Sequence, residues 1–209
     1  MCVSVVAHFL ALCFPKRGRY SRSTMRVTVY DSTPGVGFQQ WCLKVSWFLG
    51  CWFQKLFDKV DAYYGATSWT DALTWLMGVR GTFTSIQYWG HGGPGVVWLA
   101  QRMCTPYTFT VLRTKVTSTT VVWFRTCSTF QGARGYSFAL TVCSLLGCVI
   151  AGHTRVIGLL QGGLHTQAPD TAPSWPLDEG EFPKSWWPAS LHWGSNTVTC
   201  LATKIPKGW

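Results

Sequence analysis

The chain has 209 residues (23.4 kDa), 47% of them hydrophobic and only 12% charged, so it is long enough to bury one full core and too apolar for intrinsic disorder. Its net charge of +10 is scattered, with only Lys16, Arg17, Arg19 and Arg22 clustered, which excludes the coherent basic face that nucleic-acid binding needs. The nine cysteines are odd in number and include no C-x-x-C pair, which excludes a zinc ribbon, argues against a disulfide scaffold and favours a reducing cytoplasm.

Met1–Phe14 is apolar but is followed, not preceded, by positive charge, so it does not read as a secretory signal. It is also too short to span a bilayer as a helix. Residues 1–24 are therefore expected to be an extension outside the fold, and residues 25–209 a single α/β domain with a mostly parallel sheet in three layers. The first strand is Met25–Tyr30, followed by a loop over Asp31–Gly37. A helix is predicted over Phe38–Phe57. Trp41, Val45, Phe48, Leu49, Trp52 and Leu56 recur at helical spacing and are expected to face the core.

Lys59–Tyr64 reads as a short second strand, and Ser68-Trp-Thr-Asp71 has the spacing of a helix N-terminus. The third strand is Phe83–Trp89, running into Gly90-His-Gly-Gly-Pro-Gly95. These glycines match G-x-G-x-x-G literally, yet no helix opens on them and no acidic residue occurs between Asp71 and Asp170, so a dinucleotide site is rejected. Val96–Leu99 forms a short apolar extension, and a helix is expected from Thr105-Pro106 to Lys115. The fourth strand, Thr119–Cys127, ends on a cysteine. A helix over Tyr136–Leu146 and a buried strand over Cys148–His153 follow. Residues 158–195 read as one long loop, and Asn196–Ile205 as a strand at a sheet edge. Alternation of strands and helices implies the parallel sheet.

Parallel strands bring their carboxyl ends to one edge, where open α/β sheets bind ligands. His91 and Cys127 sit at two such ends and are the reagents of thiol nucleophilic catalysis. A neutral imidazole at His91 can take the proton of the Cys127 thiol, and the Gly92 and Cys127 N–H groups are natural oxyanion donors. No acidic residue lies near either motif in sequence, which points to a Cys-His dyad without a third member.

A strand ending in His-Gly, and then a strand ending in Cys one helix later, resembles the caspase–hemoglobinase fold of caspases, metacaspases, legumains and gingipains. In that family too the histidine follows the third strand and the cysteine the fourth. The resemblance covers about Met25–His153 and implies Cys127 as nucleophile, His91 as general base and Gly92 as oxyanion donor of a cysteine peptidase with no cofactor. The family often carries Asp, Glu or Gln two residues before the cysteine, where this chain has Arg125.

Arg125 and Arg155, with His153 and His165, are the candidate substrate-binding residues. The arginines beside the strand ends favour an acidic or neutral side chain at the cleaved bond over a basic one. The expected partner is a peptide or protein substrate, with neither nucleic acid nor membrane. Two alternatives stand beside this: a catalytically silent domain of the same fold that binds a peptide, and a zinc site built from His91, Cys127, His153 and His165.

Overall fold

A computed structural model describes residues 23–35, 37–181 and 194–209. The expectation of an extension over residues 1–24 falls almost wholly outside these, and β1 (Thr24–Asp31) begins at its last residue. Val27 and Val29 on one side of β1, and Thr28 and Tyr30 on the other, are all buried, so both faces of this strand are covered. Helix α1 (Phe38–Leu56) and β2 (Ala62–Ala66) follow, then α2 (Trp69–Gly78), whose first turn is capped by the Ser68 hydroxyl accepting from Asp71 N–H at 3.1 Å.

Next come β3 (Thr82–Trp89) and three short strands, β4 (His91–Gly93), β5 (Val96–Leu99) and β6 (Arg102–Cys104), which form a separate antiparallel sheet. Pro106–Lys115 is a 3₁₀ helix, where the sequence suggested an ordinary one. Its threonines and Val111 crowd an α-helical turn. β7 (Val121–Arg125), α3 (Gly132–Leu146) and β8 (Val149–His153) complete the crossovers.

The main sheet has six strands in the order β2-β1-β3-β7-β8-β10, all parallel except the last. That last strand, β10 (Leu164–Gln167), corrects the expectation of a continuous loop over 158–195. So does β9 (Leu160–Gln161), which pairs with β11 (Val198–Thr199) in a small sheet of its own. Of residues 196–205, expected as a strand at a sheet edge, only Val198–Thr199 is a strand, at the edge of this small sheet and not of the main one. The glycines of Gln161-Gly-Gly-Leu hide these strands, because Gly163 is a turn residue with positive φ rather than a sign of continuous loop.

One face of the sheet carries the larger core, with α2, the 3₁₀ helix and α3 packed over Val27, Val29, Ile86, Phe124 and Ile150. On the other face α1 covers Tyr30 and Trp89, while the tail around Val198 and Ala202 covers Trp123 and Ala151. Helix α1 departs in part from the predicted orientation: Val45 and Phe48 of the predicted stripe are half-buried, with Phe48 packed against Tyr30 and Tyr63, but the rest of the stripe faces outward. Its inward face is Lys44, Trp47, Cys51 and Gln54, with Gly50 against the Trp89 ring, whereas Trp41, Leu49, Trp52 and Leu56 of the predicted core stripe are exposed. A Cβ at Gly50 would stand 2.5 Å from that ring, so glycine sets how closely the helix approaches. Among the described residues no helix is long and apolar enough to cross a membrane.

Candidate functional site

β3 and β7 are neighbours in register, with Trp89 opposite Arg125. His91 and Cys127 each lie two residues beyond that pair, so the topology delivers both to the carboxyl edge of the sheet. The two turns pack directly on one another. A Cβ placed on Gly92 would meet Thr126 Cβ and Thr129 Oγ1 at 2.6 Å, so only glycine permits the approach. Gly95 N–H donates to Thr129 O at 3.0 Å, and the Thr126 and Thr129 hydroxyls bond each other at 2.5 Å.

Beyond Cys127 the chain turns through Ser128 in the left-handed region (φ 53°) and is stitched to the end of β8. Ser128 N–H donates to Arg155 O at 2.8 Å and Phe130 N–H to His153 O at 2.9 Å.

The side chains point to different neighbours. The half-buried imidazole of His91 meets the Trp47 ring edge-on, with centroids 5.2 Å apart. It lines a cavity of about 490 Å³ with Asp31, Gln40, Lys44, Gly92, Trp98 and the Ala100–Gln101 turn. The Cys127 thiol instead points its proton toward Ile157 O at 3.8 Å, and burial pushes its pKa up. Burial, and then the Lys44 charge, hold the His91 pKa below its usual value against an opposing pull from Asp31. His91 is therefore a neutral imidazole at neutral pH, the form that accepts a proton.

Asp31 joins the site because β1 lies beside β3 in the sheet. It ends β1, is 2% exposed, and forms an ion pair with Lys44 at 2.6 Å. Burial alone would raise its pKa; the bonds from Lys44 and Thr33 more than offset this. The gap in acidic residues between 71 and 170 thus does not leave His91 without a carboxylate nearby. Gln40, Lys44 and Trp47, spaced i, i+4 and i+7 on α1, are the other contributors that the apolar reading of this helix overlooked.

Three of the four expected substrate-binding residues are built into the core. Arg125 is 2% exposed and lies between the Trp89 and Trp123 rings, 4.4 and 4.3 Å from their centres. Its donors go to Gln161 Oε1, Gln87 Oε1 and the carbonyls of Thr199, Cys200 and Ala202. Burial lowers its pKa to about 9, which still leaves the guanidinium charged at neutral pH. His153 is fully buried, accepts from Trp123 Nε1 at 3.1 Å and places Nδ1 3.1 Å from Gly162 O; burial drives its pKa to about 3.

His165 stacks on Trp175 and meets Glu179 Oε2 at 2.5 Å, so it holds the acidic stretch in place. Arg155 alone stays half-exposed beside the Cys127 turn, with an Nε–H that is buried without a partner among the described residues. These placements also remove the zinc alternative, since both His153 nitrogens already have partners. No cluster of three His, Cys, Asp or Glu side chains occurs among the described residues.

Compared with protein-family models, curated proteins and solved structures, the chain matches none.

Proposed function

We propose that the protein is a cysteine peptidase of caspase-like architecture, with Cys127 as nucleophile and His91 as general base. The observation that carries this reading is the packing of Gly92 onto Thr126 and Thr129, which puts the cysteine turn in contact with a histidine turn that itself lines a cavity. His91 follows the third strand of the main sheet and Cys127 the fourth, the order that the family resemblance implies.

In the proposed reaction Cys127 exchanges the Ile157 carbonyl for the imidazole, and His91 takes the thiol proton. The sulfur attacks the peptide carbonyl carbon while the Gly92 and Cys127 N–H groups receive the oxyanion. Collapse breaks the C–N bond, His91 returns the proton to the leaving amine, and water then hydrolyses the thioester. Asp31 is bound to Lys44 and offers no free carboxylate to a basic substrate side chain. Of the two arginines expected to bind substrate, Arg155 is the one left to hold an acidic side chain.

A second reading is favoured by one observation. The thiol is directed away from the cavity and burial raises its pKa, as in a silent domain of this fold that binds a peptide without cutting it.

A peptidyl electrophile separates the two. Labelling of the full chain should fall on Cys127, although Cys42 is more exposed, and should vanish in His91→Ala. Labels distributed by exposure, with Cys42 first, would refute the peptidase reading. Saturable peptide binding without a label on Cys127 would establish the silent one.

A further inference from the structure

A general base works best when a third group holds it in one orientation. Among the described residues none hydrogen-bonds the His91 ring; its neighbour is the Trp47 indole, met edge-on at 77° with centroids 5.2 Å apart. We propose that Trp47 is the positioning residue of His91, and that Asp31, the carboxylate of the same cavity, acts on the base only through Lys44. This inference rests on the peptidase reading for its purpose, but not for its geometry.

The indole is itself fixed. Trp47 is half-buried against the cluster of Tyr30, Cys51 and Trp89, and Gly50 sets how closely that stretch of α1 approaches the sheet. One turn earlier on the helix, Lys44 Nζ stands 5.0 Å from the centre of the indole ring. The lysine is anchored in turn, pairing with Asp31 at 2.6 Å and donating to Thr33 Oγ1 at 3.2 Å. Thr33 donates both its N–H and its hydroxyl to Asp31 Oδ1. The end of β1 thus fixes the lysine, the lysine lies against the indole, and the indole meets the imidazole in a geometry that aromatic pairs favour.

The chemistry agrees with this order. A carboxylate bonded directly to a histidine stabilises the imidazolium and makes the base harder to reset. Here the Asp31 charge is taken up by Lys44, whose ammonium opposes a proton on His91. These two are the charged groups that face His91, Lys44 from α1 and Asp31 from β1; Gln40, Trp98 and Gln101 around them carry no charge. The result is a ring held by shape and kept neutral, ready for a thiol proton.

The test is NMR of the full chain carrying isotope-labelled histidine, with labelling of Cys127 by a peptidyl electrophile read beside it. In the native chain the His91 ring protons should show cross-relaxation with the Trp47 indole, a reading that needs no variant, and its absence would overturn the proposal. Trp47→Leu should shift the His91 resonances and slow Cys127 labelling at least tenfold, and Trp47→Phe should restore most of both. Phe48→Leu thins the same aromatic cluster without touching the imidazole, so it should lower the urea midpoint and leave both readings in place. Lys44→Met removes the opposing charge and frees Asp31, so the pH midpoint of His91 should rise. Resonances unmoved by Trp47→Leu, or moved as far by Phe48→Leu, would refute the positioning role. A midpoint that stays or falls in Lys44→Met would refute the part given to Lys44. If the native Cys127 takes no label, the peptidase reading fails by itself, and the cross-relaxation and resonances still decide whether Trp47 holds His91.

Discussion

Trp89 and Arg125 face each other across the β3–β7 ladder, with the guanidinium carbon 4.4 Å from the centre of the indole ring. Among the described residues no carboxylate is a hydrogen-bond partner of this buried cation; two glutamine side chains and three carbonyls of the tail satisfy it. Replacing Arg125 by Met keeps much of the volume but leaves those acceptors unpaired, at a cost of about 3 kcal/mol or more. Lysine keeps the charge but has too few donors and should fall between the two. Urea denaturation of the three proteins measures this, and a loss below about 1 kcal/mol for Met would show that the tail is held by other contacts.

Gly92→Ala tests the packing of the His91 and Cys127 turns. The added methyl would stand 2.6 Å from Thr126 and Thr129, both buried and branched near the backbone, so the turns must part. Overpacking of this kind costs about 1–3 kcal/mol. Reaction of Cys127 with a peptidyl electrophile should fall at least tenfold in conditions where circular dichroism shows the variant still folded. Unchanged labelling would mean that the closeness of the turns is irrelevant to the thiol.

The hairpin between β5 and β6 turns on Ala100 (φ 54°) and Gln101 (φ 60°), two side-chain-bearing residues in the left-handed region at the rim of the cavity. Asn-Gly is the pair that such a turn favours. Ala100→Asn with Gln101→Gly should therefore stabilise the protein by about 1 kcal/mol, read as a rise in Tm. If Cys127 labelling weakens while Tm rises, the strain serves the cavity.

His153 predicts how stability depends on pH. Unfolded, it takes up a proton near pH 6.5; folded, it stays neutral down to about pH 3. The unfolded chain therefore binds more protons in that window. Stability is full above pH 6.5 and falls on acidification by about 1.4 kcal/mol per pH unit. His91, whose pKa is also lowered, adds a loss of the same sign. His153→Gln can keep one accepted and one donated bond without titrating, so its urea midpoint should change less between pH 6 and 5, above the range where carboxylates intervene. Parallel slopes for the two proteins would contradict the assigned burial.

Strands whose side chains pair with a simple core were readable from their residues. β7 and β8 fall within the predicted segments, β1 and β3 exceed theirs by a residue at one or both ends, and the Ser68 cap and the start of α2 follow from local hydrogen bonding. The errors about which side chains lie inside share one cause, the assumption that apolar means inside. α1 inverts it, turning Lys44 and Gln54 inward while exposing Trp41 and Leu56, because Lys44 has Asp31 to bind and Gly50 must meet Trp89. Arg125 and His153 invert it again from the polar side, hidden by partners up to 77 residues away that no local window includes. Within the candidate site, the positions of His91 and Cys127 at one sheet edge were legible. The Asp31–Lys44 pair was not, since proximity there is a property of strand order.

The tail contacts of Arg125 also bear on the order in which the molecule can assemble. β3 and β7 can pair as soon as both exist, but the carbonyls that let their cation leave water come 74 to 77 residues after it. A chain still lacking Thr199, Cys200 and Ala202, as during its synthesis, has nothing equivalent to offer the guanidinium. The middle of the sheet must then remain hydrated on that face, however complete its hydrogen-bonded ladder. Closure of the tail is thus a late event by construction, and the centre of the molecule is dried from the outside by its most distant residues.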